Sequence, residues 1–398
     1  MEARKPVDLV VGFDGFDLAS PRSHLLLPPH LTREQTENFR ARLPELEAHV
    51  WILTSGSGGA PKLVALAKSA LLASAEGVLG ALARLGVGSV ETWLLTLPLY
   101  HVGGLGIYVR ARRAGHRVAM LPLKGGRPVW EAAAFVAQVE KGGVTLTSLV
   151  PTQVFDLVEA KLAAPASLKA VFVGGGALDE DLAARARTLG WPLVASYGMT
   201  ETASMVAASD PPAAPPSAYG YALLPHVEAR RSEDGHLEFR SKSLLSGFVR
   251  GEAFADGEGT TVPLEKPFTA DGFFRTEDLG RVERGADGRV RLFVEGRGAD
   301  FLKIQGENVS IPGVERTLRA RAKEAGLDPE RIAVLWRAEA RRGADLVLAL
   351  RGADSEAAYR SVFEAHNAAA PSFERFASLE TVDVFPTVEL GKLRRRLS

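Results

Sequence analysis

Apolar residues recur along this chain in short runs, separated by breaks rich in glycine, proline and serine, with segments of helical spacing between them. The runs at Val7 to Val11, Val50 to Leu53, Leu63 to Ala67, Thr92 to Pro98, His116 to Leu121, Val144 to Val150, Leu168 to Val173 and Pro192 to Ala195 predict strands. Helices are predicted over Thr32 to Leu46, Ser69 to Leu85, Trp130 to Lys141, from Pro151 onward, and over Asp179 to Leu189. Thr32 with Gln35 three residues on has the form of a capping box, and Pro44 limits that helix. Pro151 suits a first helical position. Strands alternating with helices predict an α/β fold, a mostly parallel sheet covered on both faces.

The pattern changes after Ser209 to Ser217, S-D-P-P-A-A-P-P-S, whose four prolines predict a connector. Val227 to Val249 reads as short antiparallel strands around a turn at Asp234 and Gly235, and Phe273 to Gly280 and Val290 to Val294 continue that style. A small β subdomain is expected at about 218–296. From Gly298 the chain turns α+β. It offers a strand at Phe301 to Ile304, a turn at Gly306 to Asn308 and a helix at Pro312 to Ala325. Strands at Arg331 to Trp336 and Asp345 to Leu350, a helix at Ser355 to Ala368 and a flexible basic tail follow. The expected organisation is a large N-terminal domain, residues 1–297, and a smaller mobile C-terminal domain, residues 298–398, with a hinge near Arg297 to Asp300.

Composition narrows the function. Lys plus Arg (48) balances Asp plus Glu (48), so no global field favours nucleic acid or an anionic membrane. The absence of cysteine excludes disulfides, cysteine–zinc sites and thiol nucleophiles, and fits a cytoplasmic enzyme. The N-terminus lacks the apolar core of a signal peptide, and no run approaches a membrane span.

The chemistry concentrates in V-A-S-Y-G-M-T-E-T, Val194 to Thr202. The chain is expected to turn through Gly198 at the carboxyl end of a strand, where open α/β sheets bind ligands. Tyr197 offers an aromatic face, Thr200 and Thr202 offer hydroxyls, and Glu201 offers a carboxylate for a hard cation. Mg²⁺ prefers one or two carboxylates plus substrate phosphates, so the set suits a nucleotide triphosphate. A polar strand-to-loop turn would use the same residues. A second candidate is Thr54 to Lys62, T-S-G-S-G-G-A-P-K, whose glycines, hydroxyls and lysine can wrap an anion. Its spacing is not that of a Walker loop. Leu99 to Gly106, L-Y-H-V-G-G-L-G, places His101 beside glycines that suggest close packing or a channel wall.

The order of the motifs is more specific than any one of them. The hydroxyl and glycine loop is followed by P-L-Y-H-V-G-G, V-G-G-G-A, Y-G-M-T-E-T, F-F-R-T-E-D-L-G, V-E-G-R, G-E-N-V-S-I-P-G-V-E and P-x-x-x-x-G-K-x-x-R. This series, from Trp51 to Arg395, resembles the adenylate-forming superfamily of acyl-CoA synthetases, adenylation domains and luciferases. The phrases L-P-L-Y-H-V-G-G-L-G-I, S-L-V-P-T-Q, V-F-V-G-G-G-A-L and S-Y-G-M-T-E-T-A-S are most similar to its o-succinylbenzoate–CoA ligases of menaquinone biosynthesis.

The resemblance implies a reaction in which a carboxylate attacks the α-phosphate of ATP and a thiol, usually of coenzyme A, then displaces AMP. It implies that Thr54, Ser55, Gly56, Ser57, Gly58 and Lys62 cover the β- and γ-phosphates. Gly174, Gly175, Gly176 and Ala177 would form the adenine-binding strand end, with Ser196, Tyr197, Gly198 and Met199 beside it. Thr200 would donate to the α-phosphate, Glu201 would hold Mg²⁺, and Asp278 would take the ribose hydroxyls. Arg297 would reach ribose or phosphate. Lys392 would bridge carboxylate and α-phosphate in the first step, and Lys303, Gly306 and Glu307 would face coenzyme A in the second. His101, Gly103 and Gly104 would line the acyl pocket, and a dianionic acid would need a further cation, for which Arg110 is a candidate.

The chain departs from the family at Gly59, where Thr is usual, at Ala299, and in the short region ahead of Val50, where part of an N-terminal sheet is expected to be missing or replaced. A ligase for another aryl or fatty carboxylate and a non-catalytic nucleotide- or CoA-binding relative remain as alternatives, and a homo-oligomer stays open.

Overall fold

The computed structural model describes residues 7–10, 16–29, 31–54, 61–83, 87–88, 90–125, 127–176, 178, 180–209, 220–254, 261–297, 301–352, 354, 356–385 and 395–397. Two compact units divide between Gly296 and Arg297. The larger contains a five-stranded and an eleven-stranded sheet.

The five-stranded sheet runs Asp8–Val10, His24–Leu26, His49–Thr54, Lys62–Ala67, Gly247–Arg250. Its first three strands are parallel and the last two pair antiparallel. Trp51, Leu63 and Ala65 face one apolar cluster, while Val50, Ile52 and Val64 face another, so both faces of the central strands are buried. Beside it, helix Arg33–Arg42 starts at the expected box: Thr32 Oγ1 accepts from Gln35 N at 3.1 Å and Gln35 Oε1 accepts from Thr32 N at 2.9 Å. The helix stops at Leu43, ahead of Pro44.

In the eleven-stranded sheet the strands Arg117–Met120, Thr92–Leu95, Leu146–Leu149, Ala170–Val173 and Leu193–Met199 are parallel neighbours, as the alternating pattern predicts. Leu193–Met199 then pairs antiparallel with Ser204–Ala208. From there the order continues through Tyr221–Leu223, Val290–Arg297, Phe274–Arg284, His236–Ser241 and Val227–Arg231. The strands of the 218–296 stretch therefore extend the main sheet instead of forming a separate one, and Gly247–Arg250 joins the five-stranded sheet.

The sheet curls. Four strand steps separate Leu193–Met199 from Phe274–Arg284, which in a flat sheet is roughly 19 Å. Yet Tyr197 Oη donates to Asp278 Oδ2 at 2.6 Å. The concave interior is filled by Ala207, Leu237, Phe239 and Leu292, with Tyr197 and Tyr221 packed against them. Sheet twist and the bulge between Tyr197 and Gly198 are the local sources of such curvature.

Two expectations are corrected. Leu193–Met199 does not turn at Gly198; it continues as strand, and the turn is the 3₁₀ segment Thr200–Thr202. Gly198 is needed for close approach instead: a Cβ there would lie 1.9 Å from the Ser204 carbonyl oxygen. The stretch after Tyr100 is helix Val102–Ala114, which its three glycines concealed. The connector 210–217 falls outside the described residues.

In the smaller unit, strands Ile332–Glu339, Gly343–Arg351 and Phe376–Val382 form a sheet against helices Ile311–Glu324 and Glu356–Ala369. The third strand has no counterpart in the sequence reading. A hairpin, Phe301–Ile304 with Glu307–Ser310, turns at Gln305 and Gly306, both at positive φ (54° and 84°). Among the described residues no helix is long and apolar enough to cross a membrane.

His226 illustrates how tightly the larger unit is packed. Both its ring nitrogens are buried without a hydrogen-bond partner, against Gly77 of helix Lys68–Ala83. Burial holds its pKa down, to about 4. The unfolded chain takes up this proton near the ordinary value of 6.5 and the folded chain only near 4, so stability falls as pH falls through that window. Thermal midpoints recorded between pH 7 and 4 are expected to decline less steeply for His226→Phe than for the wild type; equal slopes would refute this role.

Candidate functional site

The site of the larger unit is built on the turn between Leu193–Met199 and Ser204–Ala208. Thr202 ties it from within: its Oγ1 accepts from Met199 N at 3.2 Å and donates to the Ser204 carbonyl at 2.8 Å. Ala203 (φ 51°) and Ser204 (φ 103°) lie in the left-handed region that non-glycine residues avoid, a cost of order 1–3 kcal/mol each. The backbone is thus forced round so that Thr200 and Glu201 stand at the strand end. The Glu201 carbonyl is fixed by Leu245 N at 2.8 Å.

Three polar groupings meet this turn. Lys62 forms an ion pair with the buried Glu201, and its ammonium lies 5.1 Å from the centre of the Phe248 ring. Lys62 is the register partner of Thr54, so the paired strands His49–Thr54 and Lys62–Ala67 flank the expected phosphate loop in sequence. Ser55, Gly56, Ser57, Gly58 and Gly59 lie outside the described residues.

The second grouping is the Tyr197–Asp278 hydrogen bond. Asp278 is 6% exposed, and its backbone N–H is held by Thr276 Oγ1 at 3.1 Å. The Tyr197 ring packs at 6.0 Å from Phe239 and 6.3 Å from Tyr221. Nearby, Gly174, Gly175 and Gly176 follow strand Ala170–Val173. A Cβ on Gly174 would lie 2.7 Å from Ser196 Oγ, which donates to the Val173 carbonyl at 3.0 Å. Ala177 lies outside the described residues.

The third grouping centres on Arg110, which the sequence named without a place. It sits on the buried face of helix Val102–Ala114 and is 2% exposed. Its Nη2 donates to Ser204 Oγ at 3.0 Å, while its buried Nη1 has no partner. The guanidinium lies 5.6 Å from the Trp93 ring centre and 6.0 Å from that of Phe172. Among the described residues no carboxylate pairs with it. Burial pushes its pKa down to about 10, which still leaves it charged at neutral pH. Gly106 makes room: a Cβ there would lie 2.7 Å from Arg110 Nη2. The available signal was an arginine among Leu105, Ile107, Val109 and Ala111 on a face otherwise apolar.

The remaining predicted residues are less concentrated. His101 takes the N-cap position of the helix without a side-chain capping bond, its ring 4.8 Å from that of Tyr100. Gly104 is a packing residue, since a Cβ would lie 2.1 Å from the Pro98 carbonyl oxygen, and one on Gly103 would lie 3.0 Å from Leu97. Arg297 ends strand Val290–Arg297. Lys303 stands in the hairpin of the smaller unit, exposed and opposite Asn308. Lys392 lies outside the described residues.

An aromatic ring, two buried carboxylates, a lysine and the Thr200 hydroxyl together suit a nucleotide; the Thr202 hydroxyl, expected to be presented with them, is instead buried and bonded within the turn. Comparison with known proteins agrees. Residues 17–239, more than half of the chain, match the family of AMP-binding enzymes. The 2-succinylbenzoate–CoA ligase of Salmonella typhimurium is 34% identical over 268 residues, which are 67% of this chain and 51% of that protein. That of Escherichia coli is 33% identical over the same length. The chain spans about half the length of these curated relatives. Among solved structures, o-succinylbenzoate CoA synthetase from Bacillus subtilis, a double mutant with a product analogue, superposes with a TM-score of 0.68 at 22% identity, over 87% of this chain and 68% of that one. A malonyl-CoA ligase with methylmalonyl-CoA and AMP gives 0.64 at 26%, over 85% and 71%.

The close approach at Gly198 is the most exacting contact of the turn. Gly198→Ala sets a methyl against backbone, and the expected cost is about 1–3 kcal/mol in denaturant unfolding, together with weakened nucleotide binding by calorimetry. Unchanged stability and affinity would show that the turn yields freely.

Proposed function

The chain belongs to the family of AMP-binding enzymes, and from that premise we propose that it is an AMP-forming acid–thiol ligase that activates o-succinylbenzoate and passes the acyl group to coenzyme A. A carboxylate is a poor acyl donor. In the first step its oxygen attacks the α-phosphorus of ATP and pyrophosphate leaves. In the second, the thiol sulfur attacks the acyl carbon, loses its proton, and AMP leaves. The protein's part is to position the reactants and to offset charge developing on the phosphates.

In this reading Tyr197 lies along the adenine, and its hydroxyl holds the Asp278 carboxylate toward the ribose hydroxyls. Lys62 and Thr200 serve the phosphates. Among the described residues there is no group of three or more potential metal ligands. A single buried carboxylate, Glu201, does fit a Mg²⁺ ion that takes its other ligands from phosphate and water, and bound there the ion would neutralise phosphate charge. Lys392 serves the adenylation step, and the hairpin bearing Lys303, Gly306 and Glu307 serves the thioester step through reorientation of the smaller unit. A cysteine-free chain acting on ATP and coenzyme A supports a cytoplasmic reaction.

The observation that carries the choice of acid is Arg110. A buried guanidinium without a carboxylate partner is costly, and it is best satisfied by an anion that arrives with the substrate. o-Succinylbenzoate brings two carboxylates: one reacts, and the aromatic one meets Arg110 and Ser204. A fatty or simple aryl acid leaves the arginine unmet.

Pyrophosphate release with ATP, Mg²⁺, coenzyme A and o-succinylbenzoate tests the reaction. The wild type is expected to release it and form the thioester, and Lys392→Ala to lose most of the activity. Arg110→Met is expected to raise KM for this diacid about 10- to 100-fold while leaving that for a monoacid nearly unchanged. Its folding stability is expected to hold or rise, because an uncompensated buried charge is removed. Release with a monoacid but not with o-succinylbenzoate would keep the reaction and discard the substrate. Silence with every acid, despite ATP binding, would favour a non-catalytic relative.

A further inference from the structure

The end of the chain is fastened to the smaller unit. Strand Ile332–Glu339 is an edge of its three-stranded sheet, and residues 395–397 add to the free side of that edge. Trp336 N donates to the Arg395 carbonyl at 2.8 Å and Leu397 N donates to the Trp336 carbonyl at 2.7 Å. The Arg396 guanidinium lies 5.3 Å from the Trp336 ring centre. The expected flexible tail is thus corrected at its end, because main-chain pairing and a side-chain clamp hold it.

The clamp is Arg395. Its Nη1 donates to Glu315 Oε2 at 2.5 Å and to the Val334 carbonyl at 2.9 Å, and its Nη2 lies 3.4 Å from Glu315 Oε1. Both side chains are largely buried, at 18% and 13% exposure. Glu315 is itself fixed, since its Oε2 also accepts from Val334 N at 2.9 Å and Arg319 stands 3.5 Å from its Oε1. A fork-to-carboxylate pair held on both sides is the geometry in which an ion pair fixes orientation. Beyond it, Leu397 packs on the apolar patch of Leu335, Val347 and Ala349. Phe385 packs on that same patch, with the Arg351 guanidinium 5.5 Å from its ring centre. The chain is therefore pinned at two points on one small surface, on either side of Lys392.

We propose that the Arg395–Glu315 pair is a positioning device for the adenylation step, fixing the chain three residues beyond Lys392. This rests on the role given to Lys392 above. Three residues of fully extended chain span at most about 11 Å, which is the farthest that Lys392 can reach from the anchored Arg395. A lysine on a segment held at one end only would sample a far larger volume, and its effective concentration at the reacting phosphate would fall accordingly. Arg395 does not touch the reacting atoms; it acts through Lys392. The thioester step, which the hairpin side of the unit serves, does not need the anchor.

The experiment measures the half-reactions separately in the full chain: pyrophosphate release from ATP and acid, then thioester formation from supplied acyl-adenylate and coenzyme A. Arg395→Met and Glu315→Gln are expected to slow the first about 10- to 100-fold and change the second less than about twofold, with Arg395→Lys between them and the wild type. Because the chain has no cysteine, Glu389→Cys accepts a single nitroxide label, whose mobility should rise when Arg395→Met is added. A parallel fall in both half-reactions would reduce the pair to general packing and overturn the proposal. So would an unchanged first step in Arg395→Met while Lys392→Ala abolishes it, or unchanged label mobility. If Lys392→Ala itself leaves pyrophosphate release intact, the underlying reading fails, and the anchor's catalytic role with it.

Discussion

The site depends on one backbone constraint: strand Leu193–Met199 must reverse into Ser204–Ala208 within a few residues, at contact distance. Gly198 permits the approach, and Ala203 and Ser204 absorb the strain in left-handed conformations. Non-glycine residues held there persist only when surrounding structure over-determines them. Here Thr202 bonds both limbs of the turn, and Leu245 N fixes the Glu201 carbonyl between them. The same few residues thus present Thr200 and Glu201 on one side and support the buried guanidinium on the other. Moving the turn would disturb both groupings together, which under the proposed function are the nucleotide and acyl ends of the site.

Electrostatics explains why these groups are kept under tension. Glu201 and Asp278 are buried carboxylates, one answered by an ammonium and the other by a phenol hydroxyl. Arg110 is the opposite case, a buried cation answered by one neutral hydroxyl and the faces of two aromatic rings. Ring faces and a serine compensate a guanidinium less well than a carboxylate does. A protein selected for stability alone would place an apolar residue there.

Much of this was legible in the sequence, unevenly and for physical reasons. The parallel strands and their helices follow from apolar runs and caps, and the box at Thr32 is realised bond for bond. Helix Val102–Ala114 was hidden because glycines that let it pack on Pro98 are poor helix formers. Strand Phe376–Val382 buries only Phe376 fully, so it carries no alternating pattern. The meeting of Tyr197 and Asp278 was implied by family resemblance alone. Local periodicity reports which face of a strand is buried and says nothing about how a sheet bends over four strands. Arg110 was named for its charge, but only its burial and its empty hydrogen-bonding position give that charge a meaning.

The curl of the eleven-stranded sheet has an evolutionary reading. Tyr197 and Asp278 belong to different limbs of a bent surface, and the distance between them measures its curvature. The strands in between carry few groups of the candidate site, Ser204, Tyr221 and Arg297 among them, and their other positions answer mainly to packing. Their combined twist is constrained as a whole. Change along Tyr221–Leu223 and Val290–Arg297 is therefore filtered twice: at single positions such as Tyr221 and Leu292 by packing on the concave face, and across the strands together by the radius of the bend.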